Sequence, residues 1–495
     1  MSKAKELGQV FTPEHIVNLV LDNACYFSGN ILNKKIIEPS FGNGAFLKCI
    51  LERLICECRD NFMDEEEIIH QIEQNIYGIE KDEKCFEYTQ NLLSSTLKEN
   101  GIELTPKFNL YHQDALEWNR FGYFDFVVGN PPYVRIHNID TKSRELLDKF
   151  QLTKGMADLY VVFYELGLKM LKDNGWLGFI TPNSFFKNSS QKKFRKYLID
   201  NNLIVSLQDF GSTKVFDGFD TYTCICTLSK DKCDNKFVYK FCENMHTEYS
   251  TVYSNDWFGA NYDGFPWVFT DANDKAFLDF KKAETCCIAD FCSVQHGFAT
   301  NKDDVYIANE IRESEKDGCV IFNHHYVERE VLRKIVKASK YKSEGVYKYI
   351  LFPYKKGDTG RYIPLEENEL KRLYPNAYNY LLLHKKELEG RDMEKGSKWY
   401  QFARSQGLLN CDKKKLVINH IIPKDTESVS VYELPEDVFV YSGIFITSEN
   451  EGNLKMVKDI LSNEHFAKYA KLTGKNMAGG YKAINSKMIK SYRFN

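Results

Sequence analysis

Ile36-Ile37-Glu38-Pro39-Ser40-Phe41-Gly42-Asn43-Gly44-Ala45-Phe46-Leu47 reads as a buried strand ending in an acid, a turn with two glycines, and the start of a helix. Glycine lets the backbone turn tightly and lets a ligand approach it closely. A dinucleotide fingerprint would carry a third glycine and present its helix N-terminus to a pyrophosphate. Here Glu38 would repel a diphosphate and suits an ammonium group.

The same rhythm extends outward. Apolar runs at 35–37, 76–79, 108–111, 124–128, 176–180, 204–209 and 223–228 predict strands, with helical periodicity at 45–55, 84–98 and 159–171. Such alternation predicts a mostly parallel sheet covered on both faces. The short Gly-containing link Phe210–Asp220 predicts an antiparallel ending. The alternation stops near residue 230, so we expect one domain over 1–235 and a mixed α+β domain over 236–495.

Acids recur at the strand ends. Glu80 closes Tyr77-Gly78-Ile79-Glu80 and Asp114 closes His112-Gln113-Asp114-Ala115. A carboxylate at the end of a second parallel strand is placed to accept both hydroxyls of a ribose, and Asp114 to read an adenine amine. With Glu38, the three describe a pocket for a nucleoside joined to an amino acid. S-adenosylmethionine fits it. Each acid alone would also serve as an ordinary helix cap.

Phe124-Asp125-Phe126-Val127-Val128-Gly129-Asn130-Pro131-Pro132-Tyr133 runs a strand into a stiff loop. Two prolines fix φ and remove two backbone donors, leaving carbonyl oxygens on a rigid turn. The Asn130 side-chain oxygen and the Pro131 carbonyl would accept both N–H bonds of an aromatic amine and localise its lone pair. In-line displacement then requires positioning and polarisation, with no covalent intermediate. Tyr133 would stack on the base, and a duplex base would have to flip out to reach it.

The chain resembles the gamma-class adenine-N6 DNA methyltransferases of bacterial restriction–modification systems. The likeness runs in motif order over residues 8–230, from Gly8-Gln9-Val10-Phe11-Thr12-Pro13 through the glycine loop and Asn130–Tyr133 to Lys214-Val215-Phe216-Asp217-Gly218-Phe219. It implies a Rossmann-like seven-stranded sheet with its last strand antiparallel, followed by a target-recognition domain. It further implies cofactor contacts at Phe11, Thr12, Pro13, Glu38, Gly42, Gly44, Glu80, Lys81, Asp114, Ala115 and Asn130. Asn130, Pro131, Pro132 and Tyr133 would carry the chemistry, with Phe216 or Phe219 packing against the base. The glycine loop opens Glu-Pro-Ser-Phe where many methyltransferases have Asp-x-Gly.

Composition bounds the partners. The net charge is -3, so duplex DNA needs a local basic face. Basic and aromatic residues cluster around Lys340 and Tyr341, Arg404, and Lys475 with Tyr481. Lysines there would contact phosphates and set register. There is no apolar stretch long enough to span a membrane and no signal-peptide core, and the 14 cysteines contain no CxxC pair, so we expect a cytoplasmic chain without metal. Seven residues precede the first motif, so we expect no N-terminal nuclease domain. The expected partners are double-stranded DNA and, as an open alternative, a separate restriction endonuclease, with monomer and dimer both open. The rival function is methylation of a protein glutamine or an rRNA guanine by the same kind of loop.

Overall fold

Strand periodicity continues further than the sequence reading allowed. The computed structural model describes residues 12–152, 158–211, 213–216, 222–231, 234–244, 247–259, 262–341, 346–423, 425–477 and 480–495. The chain forms two compact units, Met1–Phe269 and Thr270–Asn495.

The first unit is built on a nine-stranded sheet. Its strands are β1 (Ile36–Glu38), β2 (Ile76–Glu80), β3 (Asn109–His112), β4 (Phe124–Gly129), β5 (Leu171–Pro182), β6 (Ile204–Asp209), β7 (Thr223–Ser229), β8 (Lys236–Asn244) and β9 (Thr247–Ser254). The spatial order is β3-β2-β1-β4-β5-β7-β6-β8-β9. β7 lies antiparallel between β5 and β6, while β3, β2, β1, β4 and β5 are parallel. The first seven strands make the methyltransferase-type Rossmann-like sheet that the resemblance implies. β8 and β9 extend it: β8 pairs parallel to β6, and β9 returns antiparallel. The unit therefore ends at Phe269, beyond the expected boundary at 235, because this hairpin belongs to the sheet.

The helices are α1 (Glu14–Asn23), α2 (Ala45–Asp60), α3 (Glu65–Asn75), α4 (Glu83–Glu99), α5 (Thr141–Leu146), α6 (Leu159–Met170) and α7 (Lys192–Asp200). Several start on an Asp whose carboxylate accepts a first-turn N–H: Asp64 from Glu67, Asp82 from Cys85, and Asp140 from Ser143. Because strand side chains alternate, the sheet feeds two cores. Ile36, Ile76, Phe126 and Val128 join α1 to α4 on one face; Ile37, Ile79 and Val127 join α6 and α7 on the other.

The second unit has smaller sheets. One four-stranded sheet orders Ser293–His296, Ile444–Thr447, Lys415–Ile418 and Val431–Leu434. Another orders Ile307–Ala308, Lys348–Leu351, Leu332–Val336 and Val438–Val440. The unit's buried apolar side chains fall into several distinct clusters. No helix among the described residues is long and apolar enough to cross a membrane.

Candidate active site

The carboxyl ends of β3, β2, β1 and β4 lie side by side, so Asp114, Glu80, Glu38 and Asn130 follow one another along one sheet edge. The strand order reverses between β1 and β4. In open α/β sheets that switch point forms the ligand crevice.

Glu38 is 2% exposed, and its Oε2 is buried with no hydrogen-bond partner among the described residues. Burial, and then the neighbouring Glu80 carboxylate, pushes its carboxyl well above the usual range, against a bond from the Leu47 backbone N–H. A buried acceptor without a donor costs free energy. It suits a cationic ligand. The Ser40 Oγ is likewise buried without a partner among the described residues.

The glycine loop holds its shape through Glu80. Glu80 Oε2 accepts from Gly42 N at 2.8 Å, and Oε1 accepts from Lys81 N at 2.8 Å and Asp82 N at 2.7 Å. Burial nevertheless leaves the Glu80 carboxyl raised. Gly44 sits at φ +77°, where a Cβ would meet Thr89 Cγ2 at 2.6 Å. A Cβ on Gly129 (φ +150°) would come within 3.3 Å of Glu38 Cγ, so the backbone passes close to the acid.

Asp114 is more heavily engaged than its sequence position suggested. Its Oδ1 accepts from Leu116 N at 3.0 Å, and its Oδ2 accepts from Ser143 Oγ at 2.6 Å and Lys81 Nζ at 3.0 Å. Lys81 also reaches Asp140 Oδ2 at 2.7 Å, a bond that holds Asp140 well below the usual carboxylate range. Sequence reasoning missed Asp140 and Ser143. Their only local signal is the Asp-x-x-Ser start of a short helix, which says nothing about its partner. Ala115, next to Asp114, is buried.

Across the switch point, Asn130 Nδ2 donates to Thr12 Oγ1 at 3.1 Å, which turns the amide oxygen away from Thr12. Thr12 is nearly buried, and Pro13 precedes the first turn of α1. The Tyr133 hydroxyl donates to the Ile180 carbonyl at 3.2 Å. Its ring meets Phe216 edge-on at 6.5 Å, and Phe216 is 2% exposed. The structure thus brings Thr12, Asn130, Tyr133 and Phe216 together; Phe11 and Phe219 lie outside the described residues. A further group missed in sequence is Asp209 at the end of β6. It accepts from Asn183 Nδ2 at 2.8 Å, Gly211 N at 2.9 Å and the Tyr239 hydroxyl at 2.9 Å, binding the loop after β5 to β8.

Residues 53–216 match the family model described as Eco57I restriction-modification methylase. The chain is 26% identical to the Escherichia coli Type II restriction enzyme and methyltransferase RM.Eco57I, covering 97% of this chain and 56% of that protein. It is also 26% identical to the Type II methyltransferase M.BstVI of Geobacillus stearothermophilus, over 84% of this chain and 79% of that one. This chain is similar to restriction–modification methyltransferases. Its fold matches the structure of the Type IIL restriction-modification enzyme MmeI, solved with DNA, at a TM-score of 0.63 and 15% identity, over 96% of this chain and 64% of that one. The family match falls within the first unit and spans β2 to β6 of its sheet.

The expected DNA contacts of the second unit divide. Lys340 and Lys475 are exposed, and Tyr481 is 44% exposed. Tyr341 is a correction: it is 7% exposed and packs edge-on against Tyr432 at 5.4 Å, so it fills the core. Arg404 is drawn back into its own unit, with Nη2 on Asp392 Oδ2 at 2.6 Å and Nη1 on the Asp392 and Ala403 carbonyls at 3.0 Å each.

Proposed function

We propose that the chain transfers a methyl group from S-adenosylmethionine to the N6 amine of an adenine in duplex DNA. The observation that carries the reading is the switch-point edge: the buried Glu38 oxygen, without a donor among the described residues, belongs to a side chain packed against Gly129, the residue that leads into the stiff Asn130–Tyr133 loop. The residues fit the cofactor. Glu38 would hold the ammonium of its methionine end, Glu80 the ribose hydroxyls, and Asp114 with Ala115 the adenine. S-adenosylmethionine supplies an electrophilic methyl group on a sulfonium.

The chain's own residues do the rest. Asn130 Oδ1 and the Pro131 carbonyl accept the two N–H bonds of the target amine, which draws its lone pair out of the ring. Pro131 and Pro132 keep those acceptors fixed through the reaction, so little reorganisation is required. Tyr133 stacks on the base, and Phe216 packs beside it. A paired base cannot reach such a loop, so flipping belongs to the reading. The relatives' names as Type II methyltransferases support DNA as the substrate.

Incubation with tritiated-methyl S-adenosylmethionine and mixed-sequence duplex DNA, followed by nucleoside digestion, tests it. The expected label is in N6-methyladenine. Label found in protein or rRNA, with none in DNA, would sink the reading.

A further inference from the structure

The strand register of the second unit brings three basic residues to one edge. Strands Ser293–His296 and Lys415–Ile418 both run antiparallel to Ile444–Thr447, with His296 and Ile418 each paired to Ile444. Strand Leu332–Val336 runs parallel to Val438–Val440, and Tyr441 N donates to the Val336 carbonyl at 3.1 Å. All three strands therefore run out beside 441–444. Each exits on a basic residue: His296 ends the first, Lys337 follows the second, and His420 lies two residues past the third.

The strand exits bring these side chains within electrostatic reach of one another: His296 and Lys337 act on His420, and Lys490 of the helix Ser486–Lys490 acts on His296. Ser486 Oγ is 2.9 Å from His296 Nε2. Among the described residues, no carboxylate joins the groups acting on either imidazole. Burial first, and then these cations, holds both rings below the usual histidine range. His420 Nδ1 is buried with no hydrogen-bond partner among the described residues. Groups of one sign gathered without a counter-charge favour an anion.

The charge continues past the cluster. Exposed Lys340 lies three residues beyond Lys337. Exposed Lys475 pairs with Ala483, and Ala483 pairs with Ile421, the residue after His420. A line of cations suits a chain of phosphates better than a single small ion.

We propose that His296, Lys337 and His420 seat a phosphate of the DNA backbone and take up protons as it binds, an assignment that rests on DNA being the substrate. Fluorescence anisotropy of a labelled mixed-sequence duplex with the full chain tests this across a salt series at about pH 6 and about pH 8. Affinity is expected to tighten roughly tenfold at the lower pH, with the response lost in the His296→Asn, His420→Asn double variant. Lys337→Gln is expected to reduce the salt slope by about 1 with the melting temperature unchanged, which keeps the test open if the histidine variants unfold. Wild-type pH response and slope in both variants, with methyl transfer to DNA intact, overturn the seat alone. A wild type that neither binds nor methylates duplex DNA overturns the functional reading and the seat with it. In a second arm, inorganic phosphate is titrated while the imidazole resonances are followed. Shifts with inorganic phosphate but none with duplex assign the cluster to a free ion and overturn the DNA proposal.

Discussion

The two units solve the burial problem in different ways. The first lays one nine-stranded sheet between two helical layers, and its candidate site residues gather where the strand order reverses. The second divides its strands among small sheets and relies on side chains to hold irregular backbone. Arg391 is one such side chain. Its guanidinium donates to the carbonyls of Leu388 at 2.9 Å, Thr300 at 2.6 Å, Trp399 at 2.7 Å and Gln401 at 2.9 Å, and it lies over the Tyr306 ring at 5.3 Å. A long sheet satisfies its carbonyls internally; a loop-rich unit needs donors brought to them. Function in the first unit should therefore separate from stability, whereas in the second the two should be entangled.

Substitution at Asn130 is the sharpest way to break that contrast. Asn130→Ala should lose about 10²–10³-fold in methyl transfer, the cost of removing one placed acceptor. Cofactor binding by calorimetry and the melting temperature should change little; a collapse of both would deny the separation. In the second unit, Arg391→Met should cost about 3 kcal/mol in chemical denaturation by stranding several carbonyls at once.

Glu38→Gln should do the reverse of a usual site substitution: cofactor affinity falls while the ligand-free chain gains on the order of 1–3 kcal/mol at neutral pH. The sign follows from linkage. The Glu38 carboxyl is raised in the folded chain, so folding loses stability as pH climbs through the ordinary value of 4.5. The gain of the variant should vanish below that pH, and melting curves on both sides of it check this.

The smallest effect concerns Lys415, which is fully buried with Nζ on the Pro435 and Val438 carbonyls at 3.0 and 2.8 Å. Burial lowers its ammonium from 10.5 to about 8. The unfolded chain then holds the extra proton between those values, so stability should rise as pH increases through that window. We expect a few degrees in Tm for the second unit, absent in Lys415→Met.

Much of the first unit was legible because its central strands are buried on both faces and read as unbroken apolar runs. The strand at 204–209 falls where the sequence placed it, and 176–180 is the interior of β5. β8 was not legible as part of the sheet. Lys236-Phe237-Val238-Tyr239-Lys240 mixes polar with apolar residues and follows a charged turn, which resembles the end of a domain. At the site, Glu38, Glu80 and Asn130 could be read because strand ends are fixed by the strands themselves. The bond from Ser143 to Asp114 could not be, since it depends on how a short helix folds back. Tyr341 misled for a related reason: its neighbour Lys340 is exposed, but the ring is buried.

Arg195 lies 1% exposed in the first unit, and it donates to the carbonyls of Phe185, Asn188, Gly264 and Phe265. Two of those acceptors come just after β5 and two lie beyond β9, so the guanidinium rivets the tail of the unit to its centre. Anyone dissecting the protein should cut accordingly. A fragment ending at 235 would strip two of the rivet's four acceptors and leave a cation in an apolar interior. One ending at 269 keeps them all, and is the cut expected to yield the first unit as a folded protein.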